Sequence, residues 1–454
     1  MRLPTSFQER IRRLRVEVQT LHPARQVALG YLFYMVIGWL LLCLPWMHQA
    51  QGLHPLDHLF TSMSALSTTG LVTISTSDSY SWLGEFVVLL LIQIGGIGYM
   101  TFGSFLVLGK SETLPPEHAG IARTAFGLPA SFPLAIFIRN LIQFTIIVEA
   151  IGAIFLYSNF RSIGLPVGHA VWSAIFHSIS SFCTAGFGLY NNSFESYVGH
   201  VEINLVIAVL SYLGAIGFIV WTDVWGFVNN RRAHLLSLTS KVILSATAGL
   251  GMIGTLLLLS NEPAIHALPA SQQLLAAFFQ TMTAQTTVGF NTIPIAPLSK
   301  AAILLITALM IIGASPAGTG GGLKSTTFGT ILGVIWSLLR GRREVRLWNH
   351  PVATESILAA TAALGLYIFF LFVGTYLLEM TQMSLFDQNL FEAASALGTV
   401  GLSMGITSSL TAAGKLIVIA LMYFGRVGPV TFGIALVQQR PPEPTGSEPV
   451  ELIV

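Results

Sequence analysis

Residues 59–71 are LFTSMSALSTTGL, and the same plan recurs at 175–187 (IFHSISSFCTAGF), 278–290 (FFQTMTAQTTVGF) and 390–402 (LFEAASALGTVGL). We number these stretches copies 1 to 4. Each copy has a glycine, a threonine two residues before it, a small hydroxyl residue six before it and a phenylalanine ten before it: Gly70, Gly186, Gly289, Gly401; Thr68, Thr184, Thr287, Thr399; Ser64, Ser180, Thr283, Ser395; Phe60, Phe176, Phe279, Phe391. Such repetition indicates one structural unit used four times.

Long apolar runs flank every copy. The preceding runs are 27–47, 133–157, 241–260 and 355–378, and the following runs are 82–108, 202–226, 300–338 and 414–437. The copies themselves are too short to cross a bilayer as helices, so each predicts a short helix and loop that enter the membrane and return. We therefore expect an all-α membrane protein. It would have four parallel helix–pore-loop–helix repeats around a pseudo-fourfold axis, with eight transmembrane helices.

The expected divisions of the chain follow from these runs. They are an amino-terminal segment 1–26, repeat 1 at 27–110, repeat 2 at 111–232, repeat 3 at 233–350 with a broken second helix, repeat 4 at 351–440, and a tail 441–454. The basic segment before the first run predicts no cleavable signal, because no small-residue cleavage pattern follows that run.

Composition excludes most other classes of protein. Of 454 residues, 53% are hydrophobic and only 9% are charged, too few to cover the surface of a soluble enzyme of this length. The net charge of +2 gives no electrostatic case for nucleic-acid binding. The two cysteines, Cys43 and Cys183, lie in apolar surroundings and predict neither a disulfide framework nor a thiolate metal site.

Lysine and arginine predict the orientation. Seventeen of the 22 lie before first helices or after second helices, three lie on the other side, and Lys324 and Arg426 fall inside the membrane. Both termini are therefore expected in the cytoplasm, with the four loops open to the outside.

The four loops have the composition of a cation filter. A permeating cation must exchange its water shell for fixed oxygens, and rings of backbone carbonyls provide them. Glycine permits the backbone twist that turns carbonyls inward, and the threonines add further oxygens. Glu392 is the only charged residue in these stretches, so a monovalent, weakly hydrated cation is favoured over a divalent one. The predicted filter consists of Thr68, Thr69, Gly70, Thr184, Ala185, Gly186, Thr287, Val288, Gly289, Thr399, Val400 and Gly401.

A glycine pair marks each second helix: Gly95 with Gly98, Gly214 with Gly217, Gly313 with Gly318, and Gly425 with Gly428. These pairs suit either close helix packing or a narrow pore. In copy 3 the run 313–327 (GASPAGTGGGLKSTT) cannot form a regular helix. It predicts an intramembrane loop across the pore, while a hinge without a gating role and, more weakly, a phosphate cradle remain alternatives. Arg426 is either an electrostatic barrier that holds this loop or a structural tie to helix carbonyls.

The sequence resembles a known family at these residues. Thr287-Val288-Gly289-Phe290 is similar to the opening of the potassium-channel filter Thr-Val-Gly-Tyr-Gly, and Thr399-Val400-Gly401-Leu402 follows it. Four fused repeats with one filter glycine each resemble the Ktr/Trk/HKT superfamily of potassium transporters. Because no extra helix pair is found before the first repeat, the chain resembles the Ktr-type (KtrB-like) membrane subunit more closely. The second filter glycine of true channels is missing, so selection of K⁺ over Na⁺ is expected to be weaker or to depend on fewer sites.

The resemblance implies further properties. The chain would be a potassium uptake subunit in the bacterial inner membrane, carrying K⁺ at its filter, with a role for Na⁺ left open and no organic cofactor. The family's gate would correspond to Gly313, Ser315, Pro316, Gly318, Thr319, Gly320, Gly321, Gly322, Lys324 and Arg426. The implied partners are a second copy of the chain and a cytoplasmic ring of RCK-type (KtrA-like) regulatory subunits that bind ATP or ADP. No nucleic-acid partner is expected.

Two other classes of protein fit the sequence less well. An intramembrane enzyme needs a buried nucleophile–base or metal constellation, and neither His-Glu-x-x-His nor Gly-x-Gly-Asp occurs. A secondary transporter of another small solute predicts inverted repeats, whereas these repeats run parallel. The enzyme is therefore not expected, and the secondary transporter stays as the alternative.

Overall fold

The structure is a computed structural model that describes residues 21–98, 134–229 and 235–436. Almost all regular structure in these ranges is helical. The described exception is a small antiparallel hairpin of two strands, Arg346–Leu347 and His350–Pro351. The predicted arginines at 2–15, Lys110, Arg123, Arg231, Arg232, Arg440 and the tail 441–454 lie outside the described residues.

Four long helices precede the four copies. They are Pro23–Leu42, Leu134–Ser162, Leu238–Asn261 and Thr354–Thr381. The first begins with a proline, which is suited to a helix start, and the His22 side chain accepts a hydrogen bond from the Ala24 N–H. Since a helix rises about 1.5 Å per residue, each is long enough to cross a bilayer core of about 30 Å.

A short helix carries each copy and ends where its threonine begins the loop. These helices are Pro55–Leu66, Val167–Phe182, Ala270–Thr286 and Phe386–Gly398. Each packs against the long helix before it. The phenylalanines of the repeat, Phe60, Phe176, Phe279 and Phe391, are all fully buried. The burial of these rings fixes how deeply each short helix lies within the protein, because an aromatic side chain contributes a large apolar area.

The second helices follow the copies and stop at similar lengths. They are Trp82–Ile97, Val201–Ile216, Lys300–Ile311 and Ala412–Val427. The hydroxyls of Ser81, Ser299 and Thr411 cap three of them by accepting N–H hydrogen bonds from Gly84, Ala302 and Gly414.

A glycine ends three of these helices, and in two of them that differs from what the apolar runs suggest. The runs 202–226 and 414–437, expected as single helices, are each divided, by Gly217 and Gly428. The chain turns through 97° into Phe218–Asn229 and through 95° into the following helix, Pro429–Leu436. Gly98, Gly217 and Gly428 have φ of +87°, +87° and +88°, a left-handed conformation that a helix cannot continue and that glycine adopts readily.

Copy 3 is broken as predicted. Lys300–Ile311 ends before an irregular loop, and Ser325–Leu339 resumes after it, so residues 325–327, expected in the loop, form the first turn of a helix instead. The remaining described elements are the short helices Thr76–Ser79 and Pro263–His266 and the 3₁₀ turns Pro45–Met47, Glu195–Tyr197 and Thr407–Ser409.

Length and apolar composition qualify four described helices as membrane spans, or six if each bent pair counts as one. Trp82–Ile97 and the two helices of copy 3 are apolar but shorter. A helical membrane-protein fold is thereby confirmed. The count of eight spans stays a prediction.

Candidate functional site

The four anchor glycines form a closed ring. A Cβ atom added to Gly70 would collide with the carbonyl oxygen of Ala185 in copy 2, and one on Gly186 with that of Val288 in copy 3. In the same way Gly289 abuts the Val400 carbonyl, and Gly401 abuts the Thr69 carbonyl of copy 1. The contacts run from copy to copy and return to the start, so the structure brings the four predicted loops around one axis.

The carbonyl groups of this ring are available to a ligand. They belong to the residue before each glycine: Thr69, Ala185, Val288 and Val400. Within the described residues, none of these four oxygens accepts a hydrogen bond from the protein. Buried backbone carbonyls without a partner are uncommon because each carries a desolvation cost. A dehydrated cation at the ring would supply the missing interaction.

The threonines two residues before the glycines have an unusual backbone. Thr68, Thr184, Thr287 and Thr399 have φ of +54°, +51°, +61° and +51°. A β-branched residue in the left-handed region costs about 1–2 kcal/mol, and this cost occurs four times at equivalent positions. All four side chains are fully buried. The same backbone strain at four equivalent positions indicates a structural constraint that the repeated residue types did not predict.

The small hydroxyl residues support the loops from behind. The Ser64 hydroxyl accepts the Gly70 N–H at 3.1 Å, and the Ser395 hydroxyl accepts the Gly401 N–H at 3.0 Å. In copy 2 the Ser180 hydroxyl instead donates to the Phe187 carbonyl at 2.8 Å. Each of these bonds ties the end of a short helix to its own loop.

A vestibule lies on one side of the ring. It is a cavity of about 500 Å³ whose lining includes all four anchor glycines. Its wall is mixed in polarity, and its polar residues include Glu195, Asn191 and Asn291. The Asn291 side chain donates to Glu195 at 2.8 Å, which joins copies 2 and 3 at the rim.

The loop of copy 3 lies on the other side of the ring. Its two ends pair, since the Gly313 N–H donates to the Leu323 carbonyl at 2.9 Å. Its tip is held against copy 2, where Ser315 and Thr319 donate N–H groups to the Ala215 and Gly214 carbonyls at 3.0 and 3.1 Å. Backbone hydrogen bonds therefore hold the loop both to itself and to copy 2.

Residues 319–321 contact the threonines of all four copies. The Thr68 hydroxyl donates to the Thr319 carbonyl at 3.4 Å, and the Thr184 and Thr319 hydroxyls lie 3.1 Å apart. The Gly321 N–H donates to the Thr399 hydroxyl at 3.0 Å. A Cβ on Gly320 or Gly321 would collide with the hydroxyl of Thr287 or Thr399, so glycine is required there. The loop covers the ring of threonines opposite the vestibule.

Arg426 joins this loop to the rest of the molecule. Its guanidinium donates to the Thr68 hydroxyl at 2.8 Å and to the Thr319 carbonyl. It also donates to the Gly95 carbonyl at the end of a second helix and, at 3.3 Å, to the Tyr31 hydroxyl. Arg426 therefore binds helix carbonyls and the loop at the same time. These contacts are compatible with a structural tie and with a residue that holds the loop.

The remaining predicted loop residues lie in the same segment. Lys324 donates to the Gly320 carbonyl at 2.7 Å, which places a second cationic group beside the loop. Gly318 packs on the Ala215 carbonyl, and Gly322 takes φ of +73° where the loop turns back. Pro316 lies between these contacts, after the buried Ser315.

The glycine pairs have two separate roles. A Cβ on Gly95, Gly214 or Gly425 would collide with the last carbonyls of a short helix, those of Leu66, Phe182 and Leu397. These glycines allow close packing. The later glycines of copies 1, 2 and 4 instead end the second helix, as described above.

Sequence reasoning missed Asp57. Lys415 donates to its carboxylate at 2.6 Å, and the Thr73 hydroxyl donates to it at 2.7 Å. An acidic residue in the first turn of a short helix was the available signal. Within the described residues no group of three His, Cys, Asp or Glu side chains is placed to hold a metal ion.

Comparison with known proteins places this geometry in a family. Residues 36–443 match the TrkH family, described as a cation transport protein. The chain is 36% identical over 415 residues to the Ktr system potassium uptake protein B of Bacillus subtilis, covering 90% of this chain and 92% of that protein. It is 34% identical to the protein of the same name from Vibrio alginolyticus, covering 93% and 92%.

Two further comparisons agree. The chain is 32% identical to the potassium/sodium uptake protein NtpJ of Enterococcus hirae, covering 92% of this chain and 93% of that protein. Its fold is similar to the crystal structure of the potassium transporter TrkH from Vibrio parahaemolyticus, with a TM-score of 0.68 and 21% identity, covering 90% and 84%. The family match covers most of the chain and the resemblance found in the loops is confirmed: this chain belongs to the TrkH family of cation transport proteins.

Proposed function

We propose that the chain takes up K⁺ through the axis of the four loops. The observation that carries this proposal is the closed ring in which each anchor glycine abuts a carbonyl of the next copy. Carbonyl oxygens at such a ring replace the water shell of a monovalent cation. The relatives from Bacillus subtilis and Vibrio alginolyticus are named as potassium uptake proteins, which supports K⁺ as the ion.

The loop 313–327 is the gate in this proposal. Its residues 319–321 contact the threonines at the inner end of the filter, and Arg426 and Lys324 add positive charge there. A cation leaving the filter meets a closed backbone and two basic side chains. Movement of the loop would remove the backbone barrier, carry Lys324 away from the axis and break the Arg426 contact with Thr319.

Na⁺ is a second candidate for the ion carried. A relative at 32% identity is named a potassium/sodium uptake protein, and each loop here has one filter glycine. Fewer binding sites discriminate less between two alkali cations. A role for Na⁺ as a transported or activating ion therefore belongs to the same proposal.

The proposed architecture has four parallel repeats around the axis, eight membrane spans and cytoplasmic termini. The order of contacts around the ring, copy 1 to 4 in sequence, supports it. The protein would lie in the bacterial inner membrane. We also propose a homodimer and a regulatory ring of RCK-type subunits that binds ATP or ADP. The names of the relatives refer to a Ktr system, which suggests more than one component.

The segment Arg340–Arg346 is the proposed docking surface for that ring. Arg340, Arg342 and Arg343 are exposed there, beside the hairpin. Charge reversal of Arg342 and Arg343 should abolish co-purification with the regulatory subunit while leaving the dimer intact. Retained co-purification would contradict this surface.

Rubidium uptake into liposomes tests the transport proposal. We expect purified protein to take up radioactive rubidium when the membrane potential is negative inside, with K⁺ competing more strongly than Na⁺. Addition of a Na⁺ gradient at fixed voltage would show whether Na⁺ contributes. Two results would favour the secondary transporter of another solute. One is that the protein takes up neither rubidium nor Na⁺, and the other is that it does not rescue growth of a potassium-uptake-deficient strain at limiting K⁺.

A further inference from the structure

The loop of copy 4 is held by a buried carboxyl group that has no equivalent in the other copies. Glu392 lies nine residues before Gly401 on the short helix Phe386–Gly398 and is fully buried. The same column holds Thr61, His177 and Gln280, also buried. Burial of a carboxyl group is costly unless hydrogen bonds compensate it, so the partners of Glu392 are informative.

Both partners of Glu392 belong to the segment directly after the filter. Its Oε2 accepts a hydrogen bond from the Ser403 hydroxyl at 2.8 Å, and its Oε1 accepts one from the Thr407 hydroxyl. The Ser403 hydroxyl in turn accepts the Gly405 N–H at 3.0 Å. One side chain thus ties residues 403–407 back to the short helix of the same copy.

The position of that segment affects two contacts of the ring. Gly401 lies two residues before Ser403 and abuts the Thr69 carbonyl of copy 1, while the adjacent Val400 carbonyl abuts Gly289 of copy 3. Movement of residues 400–401 would therefore change the spacing to both neighbours. A carboxyl group offers two oxygens as acceptors, so one side chain can fix the loop at two points.

Copy 2 uses the same column in a related way. His177 Nε2 accepts the Leu189 N–H at 3.2 Å, three residues after Gly186, so its Nδ1 carries the proton and donates to the Ser173 carbonyl at 2.7 Å. The side chain of Gln280 in copy 3 has no partner within the described residues. Two opposite loops of the ring are therefore fixed from this column, by different chemical groups.

We propose that Glu392 is a positioning residue for ion selection, which sets the place of the Val400 and Gly401 backbone in the ring through Ser403 and Thr407. This inference rests on the proposed filter. It goes further than the filter proposal because it assigns different supporting side chains to loops of similar sequence. Glu392 does not line the vestibule, whereas its partners Ser403 and Thr407 do, so its effect is exerted through the loop.

Three variants test the proposal in the full-length protein. Glu392→Ala removes both acceptors, Glu392→Gln keeps the shape and one carbonyl oxygen, and the double variant Ser403→Ala/Thr407→Val removes the partners from the other side. Asn389→Ala is the matched control: Asn389 is fully buried on the same helix but donates to Glu379 at 2.7 Å, away from the filter loop. The measured quantity is the ratio of K⁺ to Na⁺ uptake in liposomes, alongside thermal stability in detergent.

We expect Glu392→Ala and the double variant each to lower the K⁺/Na⁺ ratio about tenfold or more, and Glu392→Gln to stay within about threefold of the unmodified protein. Asn389→Ala should lower stability without changing the ratio. An unchanged ratio in both the Ala and the double variant, or an equal change in Asn389→Ala, would overturn the proposal. If Glu392→Ala fails to fold, the double variant decides the question alone.

One further variant separates this inference from the filter itself. Gly401→Ala alters the ring directly. A changed ratio in Gly401→Ala with an unchanged ratio in the Glu392 and Ser403/Thr407 variants rejects only the role of Glu392. An unchanged ratio in all of them rejects the filter, and with it the inference.

Discussion

Single residues at the ring combine conformations that are unfavourable elsewhere. Each loop places a threonine in the left-handed region and, two residues later, a glycine at positive φ against a neighbouring carbonyl. The threonine costs free energy, whereas the glycine avoids a collision that any other residue would meet. Their recurrence in four copies suggests that the carbonyl positions, rather than side-chain packing, are what these residues maintain.

Gly401→Ala tests this at the residue scale. Gly401 and Gly164 have nearly the same φ, +95° and +94°, but a Cβ on Gly401 meets the Thr69 carbonyl while one on Gly164 meets nothing within 4 Å. Both alanine variants carry the same backbone strain, of about 1–2 kcal/mol. We expect Gly401→Ala to reduce rubidium uptake or K⁺ preference at least about tenfold, since it also displaces a ring carbonyl, and Gly164→Ala to transport normally.

Equal behaviour of the two variants in the uptake assay would show that strain alone accounts for the effect. The ring would then not be the place where ions are selected.

At the scale of elements, the second helices are interrupted where they approach the axis. Copies 2 and 4 turn sharply at Gly217 and Gly428, and copy 3 inserts a loop of about a dozen residues between Ile311 and Ser325. The loop is stabilised by backbone bonds to copy 2 and by Arg426 from copy 4. Its main attachment points therefore lie on neighbouring copies, so their movement would be transmitted to it.

Removing the Arg426 guanidinium should open the gate. In Arg426→Gln the loop loses its charged hydrogen bonds at Thr319 and the positive barrier below the threonines. We expect rubidium uptake without regulatory subunits to rise several-fold. Arg161→Gln is the control, because Arg161 is exposed and donates to the Leu165 carbonyl, far along the chain from the loop.

Unchanged uptake in Arg426→Gln, with the protein folded, would leave Arg426 as a tie between helices only. The loop would then need another explanation for its position across the ring.

Crowding the tip of the loop should act in the same direction. In Gly321→Ala the new Cβ collides with the Thr399 hydroxyl, and the Gly321 N–H can no longer remain bonded to it at 3.0 Å without a shift. We expect increased uptake and faster proteolysis or hydrogen exchange in the loop 313–327. Gly249→Ala, on a long helix with nothing within 4 Å of its Cβ, provides the comparison and should behave as the unmodified protein.

A lower uptake in Gly321→Ala with an equally protected loop would indicate that the loop does not move to admit ions. That result would also weaken the interpretation of the Arg426 variant.

At the scale of the whole molecule, ring closure depends on contacts between the two ends of the chain. Copies 1, 2, 3 and 4 are joined in order by the backbone, but copies 4 and 1 meet, in the part of the chain that the structure describes, through side-chain hydrogen bonds and packing. Lys415 binds Asp57 at 2.6 Å, the Tyr423 hydroxyl donates to the Ala28 carbonyl at 2.7 Å, and Arg25 donates to the Ala435 carbonyl at 2.6 Å. These bonds complete a structure that the chain itself leaves open.

The Lys415–Asp57 pair should therefore be coupled in stability. Both side chains are mostly buried, at 16% and 10% exposure, so removing one partner leaves an unpaired charge and costs about 3–5 kcal/mol. We expect Asp57→Leu and Lys415→Met each to lower the thermal midpoint in detergent, and the double variant to lose less than the sum. Arg346→Met, which breaks an exposed pair with Glu344, should change stability by less than about 1 kcal/mol.

Additive losses in the double variant would show that the two residues act independently. Closure between copies 4 and 1 would then rest on packing and on the remaining hydrogen bonds.

Much of this arrangement was accessible from the sequence because it is encoded locally. Apolar runs define the long helices, the glycine and threonine columns define the loops, and Gly313–Gly322 cannot form a helix. Each of these depends on residue type and spacing alone. The sequence by itself thus determined the helical membrane class, the four loops and the broken helix of copy 3.

Only the tertiary structure decided how these parts meet. It decided where the chain turns, at Gly217 and Gly428. It also decided which residues Thr319, Gly321, Arg426 and Glu392 contact, and some of these partners lie several hundred positions away in the sequence. An apolar run has the same composition whether a glycine in it packs closely or turns the chain. Which of these occurs depends on what surrounds the glycine: Gly95, Gly214 and Gly425 meet the last carbonyls of the short helix of their own copy, and those contacts exist only in the folded molecule.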